Sequence, residues 1–448
     1  MGGPEHFAQL AEADRHLAAG QPRRAARAFG EAVSETFDRR LHFDAPASPL
    51  AADPAGFTAP LRTSTTAQAL RAPRGRAAPA AVAPTGRPAR VLVVTNRNDD
   101  FLAEILAMLE ESPDVEHRFL DLAEHDELLR GLRNPAAMAE EILTGRRGRA
   151  QAVESLLRPQ LDWADTMFVE WCRAPAALLS MVDPADTRVV VRLHSYEAFT
   201  AWPHLVDFSR VDDLLFVSEH LRDLAVAAIP ALTEADAPTT HVLPPGMRLR
   251  RMARAKSGDA RFTVGLLGAS KLVKDPRWAI EVLRRLRKQD LRYRLLLIGG
   301  KFQDPTDATS GYARELAEDL AELEPDGAVT RLGYTDDVPG VLERVGLILS
   351  SSVRESFHIG LVEGAASGAV PIVRDWPFFP GAAARLFPAD WVVASPDEAA
   401  RRILEHTGSE ETWRQAGEQA AAYVRERWDW PVVHAGYERL LVGRAVPR

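Results

Sequence analysis

The chain has 448 residues, 46% hydrophobic and 26% charged, which suits two or three globular domains better than one. A net charge of −8 speaks against bulk nucleic-acid binding, and a lone cysteine, Cys172, excludes an internal disulfide framework and a multi-cysteine metal site. No apolar run approaches the roughly 18 to 20 residues that span a bilayer. The start, Met-Gly-Gly-Pro-Glu-His, has neither a basic n-region nor an apolar h-region, so a cytoplasmic protein is expected.

In chain order, residues 5–35 read as two short helices. Ala11, Ala13, Leu17 and Ala18 share a face before Gly20-Gln21-Pro22, and Ala25, Ala26, Phe29, Ala32 and Val33 form a second stripe. This helical hairpin, residues 1–36, resembles one tetratricopeptide unit. A single unit cannot bury its own face, so it docks either on its own chain or on a protein partner. Residues 37–89 are rich in Ala, Pro and Arg. No acid occurs between Asp53 and Asp99, while Arg62, Arg71, Arg74, Arg76, Arg87, Arg90 and Arg97 fall there. The composition suits a flexible linker. A basic tether also offers a peripheral contact with anionic lipid at the inner face of a membrane, at about 1 kcal/mol per charge.

From residue 90 the pattern changes. Val91-Leu92-Val93-Val94-Thr95 is a short buried strand, followed by Asn96-Arg97-Asn98-Asp99-Asp100 and a helix from Phe101 to about Glu110. Further strands are expected at Val115–Leu120, Thr166–Glu170, Arg188–Leu193, Asp213–Val217 and His241–Leu243. After a charged stretch from Arg248 to Arg261, a second series follows: Phe262–Leu267, Arg294–Ile298, Val329–Leu332, Gly346–Leu349, Ala369–Val373 and Trp391–Val393. Helical stretches separate most of these strands. The chain is therefore α/β, with two doubly wound Rossmann-like domains at 90–250 and 251–425, facing a cleft and preceded by a short helical segment. Residues 426–448 form a C-terminal segment. Ligands of such sheets bind beyond the carboxyl ends of the strands.

Three stretches carry chemistry at those ends. In Gly265-Leu266-Leu267-Gly268-Ala269-Ser270-Lys271-Leu272-Val273-Lys274-Asp275-Pro276, a strand ends at Gly268 and two lysines precede a helix. That is a clamp for a diphosphate, since ammonium groups and free helix amides neutralise phosphate charge. His194 ends the strand Val189–Leu193. In Arg354-Glu355-Ser356-Phe357-His358-Ile359-Gly360-Leu361-Val362-Glu363, two carboxylates stand seven residues apart, one in a turn and one about two helical turns on. Their apolar flanks set the turn against the sheet. A buried carboxylate needs partners, and sugar hydroxyls supply them.

Glu355, Glu363 and the Gly-Ala-Ala-Ser-Gly-Ala-Val-Pro-Ile-Val that follows resemble the donor motif of retaining glycosyltransferases of family four, with the GT-B fold. Gly333-Tyr334-Thr335-Asp336-Asp337-Val338-Pro339 resembles the loop beside the nucleotide base, and Trp428-Asp429-Trp430 to Tyr437-Glu438 the segment that crosses back to the first domain. The resemblance covers roughly residues 90 to 445. It implies a metal-independent transferase whose co-substrate is a nucleotide-diphosphate-sugar, without a further cofactor. It implies that Glu363 holds the ribose, Glu355 the transferred sugar, and Lys274 with the amides of Ile359, Gly360 and Leu361 the diphosphate. His194 would lie near the sugar carbon under attack. Gly268, Lys271, Tyr334, Val338 and His358 complete the donor-binding set.

Three positions depart from that family. Ala269-Ser270-Lys271 stand where an arginine is usual, so Lys271 substitutes for it. The glycine-rich turn after the first strand is absent, and His358 stands where glycine is common. The acceptor is unidentified. The alternatives are another GT-B enzyme, an epimerase or phosphorylase, and a catalytically degenerate interaction protein. Glu355→Gln and Lys274→Ala should each cut transfer sharply, whereas Arg71→Ala should not.

Overall fold

The computed structural model describes residues 8–45, 47–97, 101–125, 127, 134–300 and 309–443. The chain forms two compact units, residues 1–42, 48–246 and 433–448 in the first, and 43–47 with 247–432 in the second. The chain passes into the second unit at Met247 and returns at Val433.

The first unit is built on six parallel strands: β1 (Ala89–Thr95), β2 (Val115–Asp121), β3 (Thr166–Glu170), β4 (Arg188–Leu193), β5 (Asp213–Phe216) and β6 (Thr239–Val242). Their order is β2-β1-β3-β4-β5-β6. In register, Val93 of β1 sits between Phe119 and Phe168. β3 is buried at every position, which is why it reads as a continuous apolar run and not as an alternating one. After β2 the chain returns to the other side of β1, so the sheet changes winding direction between β1 and β3. That is where doubly wound sheets open a ligand crevice.

The expected hairpin is present as α1 (Ala8–Ala18) and α2 (Pro22–Thr36), joined by Gly20 at φ 66°. Its apolar face is covered within the same unit. α2 packs on α4 (Pro135–Thr144) so closely that a Cβ on Gly30 would overlap Ala136. α1 reaches α3 (Thr65–Arg71) through Asp14, whose Oδ1 accepts from Ser64 Oγ (2.7 Å) and the Thr66 amide (2.8 Å).

Where a flexible linker was expected, residues 39–71 carry a run of short helices. Short helices run Arg39–His42, Pro49–Ala52, Pro54–Phe57 and Ala59–Thr63 before α3. Ser48, Asp53 and Ser64 cap three of these helices with their side chains, and Pro49 and Pro54 begin two of them. This cap-then-proline pattern is a helix start, and it outweighs the coil-like composition. Leu50, Leu61 and Leu70 are buried.

The arginines of the stretch are spent inside the unit. Arg62 donates to the Ala227 carbonyl, and Arg74 pairs with Asp207, Arg87 with Asp165 and Arg90 with Glu116. Little of the positive charge that a lipid contact calls for is left over. Arg71 pairs with Glu234 at 2.8 Å and also donates to the Leu61 carbonyl, so Arg71→Ala loosens the fold and is not a neutral control. Arg76 is the strongest of these clips, donating to Asp212 (2.7 Å) and to the carbonyls of Ala185 and Thr187. Arg76→Ala leaves Asp212 and two carbonyls short of a donor. It is expected to cost about 2–3 kcal/mol in urea unfolding.

The second unit repeats the design with β7 (Thr263–Leu267), β8 (Arg294–Ile298), β9 (Val329–Leu332), β10 (Leu347–Ser350), β11 (Val370–Arg374) and β12 (Val392–Val393). The order is β12-β11-β10-β7-β8-β9, all parallel, so the winding changes direction between β7 and β10. Helix α5 (Pro276–Arg287) buries Ile280, Leu283 and Leu286 on one side of the core. Helix α6 (Ile359–Ala366) follows β10. Its Gly364 lies against Ile348, and a Cβ on Gly360 would stand 2.9 Å from Leu267 Cβ. Both glycines let α6 settle on the ends of β7 and β10.

Candidate active site

In the second unit the chain turns sharply after β7. Gly268 has φ 79°, a conformation glycine adopts freely. A Cβ there would press on Lys274 Cε at 3.2 Å. A short 3₁₀ turn, Leu272–Lys274, ends at Asp275, itself left-handed at φ 41°. Asp275 is held by Arg374 Nη1 (2.6 Å) and Tyr312 Oη (2.9 Å), and Ser351 Oγ donates to the Lys274 carbonyl. These clips aim the Lys274 side chain towards the turn after β10.

There Lys274 Nζ donates to Glu355 Oε1 at 2.6 Å, and Ser352 Oγ donates to the same oxygen at 2.6 Å. Burial works against the Glu355 charge, yet His358, the Lys274 ammonium and the Ser352 hydroxyl together hold its pKa down at about 2. The two residues assigned by sequence to sugar and diphosphate are thus bonded to each other. His358 lies beside them, left-handed at φ 79°, with Nε2 3.6 Å from Glu355 Oε1. Burial lowers its pKa to about 3, so the ring is neutral at pH 7.

The ring also changes the anion site at the start of α6. His358 Nδ1 accepts from the Leu361 amide at 3.2 Å, and the His358 carbonyl accepts from it as well. Leu361, counted from sequence among the diphosphate donors, has its amide spent on this cap. The amides of Ile359 and Gly360 have no acceptor among the described residues and remain available at the helix start.

Glu363 lies one face further along α6 and is half-buried, and its carboxyl has no hydrogen bond among the described residues. Burial raises its pKa from 4.5 to about 7, against the pull of Arg251. A pKa raised on folding favours the protonated form, so this contribution to stability is present at low pH and is lost on deprotonation. The ligand-free protein is expected to lose stability as pH rises from 4.5 towards 7, and Glu363→Gln to flatten that slope in urea titrations across pH. Lys271 is exposed and makes no ion pair among the described residues, so it is not part of the Lys274–Glu355 cluster. Tyr334, 80% exposed, lies in the loop after β9, and Val338 opens a short helix there, capped by Asp337.

The carboxyl ends of β3 and β4 carry a separate cluster in the first unit. His194 Nε2 lies 2.7 Å from Glu170 Oε1. Arg192, wholly buried, reaches Glu170 Oε2 at 2.6 Å, the Phe101 carbonyl at 3.0 Å and Tyr437 Oη at 3.2 Å. The His194 ring packs against Trp171 (centroids 4.2 Å apart) and Phe101 (5.1 Å), which also touch each other. Burial lowers the His194 pKa although Glu170 opposes it. Trp171 has φ 74°, a strained backbone for an aromatic residue at a strand end. Burial also raises Glu197 to about 8, and its Oε1 accepts from the Cys172 amide at 3.2 Å. The Cys172 thiol is pushed up by burial, consistent with a packing role. Glu170 and Glu197 were not singled out from sequence. The available signal was a carboxylate ending the apolar run Met167–Val169 and another a few residues past the end of the strand Val189–Leu193.

Two Rossmann-like units, each with its polar cluster at the carboxyl ends of the strands, are the GT-B architecture. The chain is similar in fold to Anabaena HepE, solved in complex with UDP and glucose. Identity is 15%, 80% of this chain and 100% of that one are covered, and the TM-score is 0.59. It is likewise similar to the trehalose-6-phosphate synthase OtsA (14% identity, 80% and 100% covered, TM-score 0.58), which has also been solved from E. coli bound with UDP-2-fluoro glucose. Residues 261–407 match the model of the glycosyl transferases group 1 family, a stretch that includes Gly268, Lys274, Glu355 and Glu363. The family match lies within the second unit, and the fold likeness extends over both units. No helix among the described residues is long and apolar enough to cross a membrane.

Proposed function

We propose that the protein transfers a sugar from a nucleotide-diphosphate-sugar to an acceptor, with retention of anomeric configuration, as in the family-four enzymes its motif resembles. The observation that carries this reading is the Lys274–Glu355–Ser352 cluster beside the open amides of Ile359 and Gly360. It supports a site with a movable cation, a helix start for a diphosphate, and a buried carboxylate for sugar hydroxyls. Glu363, half-buried and without a hydrogen bond among the described residues, suits ribose hydroxyls, which would give its carboxylate donors. His194, held by Glu170 Oε1, is the first unit's candidate for a role near the sugar. Lys274 and the helix amides supply positive charge for the leaving diphosphate without a divalent cation. The UDP complexes of the fold relatives make uridine the first base to try.

Purified protein incubated with UDP-sugars and a panel of hydroxyl acceptors should release UDP and form a glycoside with the donor's anomeric configuration. Full activity should remain after chelation with EDTA. An inverted product overturns the retaining assignment, and loss of activity restored by a divalent cation overturns metal independence.

A further inference from the structure

His358 is unusual in three ways. Its backbone is left-handed at φ 79°, which a non-glycine residue keeps only where its surroundings over-determine it. Its side chain is 1% exposed, yet Nε2 has no hydrogen-bond partner. Nδ1 accepts from the Leu361 amide, so the ring proton is on Nε2. A buried N–H without an acceptor is costly, and this one points to within 3.6 Å of Glu355 Oε1, just beyond hydrogen-bond reach. The positions on that oxygen are held by Lys274 Nζ and Ser352 Oγ. A diphosphate competes with Glu355 for the same ammonium. Once Lys274 turns to the phosphates, the buried carboxylate keeps the Ser352 hydroxyl but loses its ammonium.

We propose that His358 is a positioning residue whose Nε2–H takes hold of Glu355 when Lys274 turns to a diphosphate, keeping the carboxylate aimed at the transferred sugar. This rests on the donor reading given above. Lys274 and His358 then serve one carboxylate in succession. The strained backbone at 358 is kept because only from there does the ring both cap α6 and face Glu355.

The test is a double-mutant cycle in urea without ligand, using His358→Gly, Lys274→Met and the pair. In the native background His358→Gly changes stability little, because glycine suits φ 79° and offsets the lost cap. In the Lys274→Met background the ring is engaged on Glu355, and the same substitution lowers the folding equilibrium constant by a further factor of about ten. Equal losses in both backgrounds would mean a plain helix cap and overturn the proposal. Should Lys274→Met fail to fold, the wild-type ring is followed by NMR with and without UDP. The His358 Nε2–H resonance should move downfield on binding, and UDP that binds without moving it overturns the succession. Absence of UDP binding counts against the donor reading instead, and Lys274→Ala in the same cycle then decides the role of His358.

Discussion

Glu355→Gln should lower transfer by about 100- to 1000-fold, the scale seen when one preorganised charged group is removed from an active site. The substitution keeps the shape of the side chain and removes its charge. Lys274 Nζ then faces a neutral amide where it had a carboxylate at 2.6 Å. The Ser352 hydroxyl keeps an oxygen to donate to, so the turn itself persists. On the proposed roles, Glu355 serving the sugar while Lys274 and Glu363 serve the diphosphate and ribose, the loss belongs in kcat more than in the KM for the donor. Steady-state kinetics with a saturating nucleotide sugar decide the matter. Activity within three-fold of wild type, about 0.7 kcal/mol in barrier, would remove Glu355 from the chemistry.

Glu170→Gln should destabilise the first unit by about 3–5 kcal/mol, a large share of the roughly 5–15 kcal/mol that holds a domain together. Arg192 and Glu170 both have side chains with no exposed surface, and their charges answer one another at 2.6 Å. Burial alone would raise the Glu170 pKa, but Arg192 and His194 hold it below the ordinary value. An amide cannot balance the guanidinium, so the variant keeps an uncompensated buried cation. The damage reaches further than the pair, since Arg192 also ties Phe101 and Tyr437 to the sheet and Glu170 fixes His194. Urea unfolding followed by tryptophan fluorescence measures it, and a cost under 1 kcal/mol would contradict this description of the network.

Much of the fold was legible because buried parallel strands are short, apolar and separated by amphipathic helices. Thr166–Glu170, Arg188–Leu193, Arg294–Ile298 and Val329–Leu332 fall where the residue pattern puts them. Residues 39–71 were misread because alanine and proline suggest coil, while the informative residues were the caps Ser48, Asp53 and Ser64. The sequence offered candidate site residues but none of the bonds between them. Lys274 and Glu355 are 81 positions apart, and no local rule pairs them. The loss of the Leu361 amide depends on the direction of one histidine ring, which spacing cannot supply. The Glu170–Arg192–His194 network escaped for a related reason. Its members sit on neighbouring strands, and their contact arises only when β3 and β4 align in register, Glu170 beside Arg192.

The most direct measurement is calorimetric titration of wild-type protein, Lys274→Ala and Glu363→Gln with uridine, guanosine and adenosine diphosphates. One of the three should bind the wild type. Lys274→Ala should weaken that binding by at least about ten-fold, the worth of one charge-assisted contact, and Glu363→Gln should weaken it through the ribose. Binding of equal strength to all three proteins, or of no diphosphate to the wild type, would contradict a nucleotide-sugar site in the second unit.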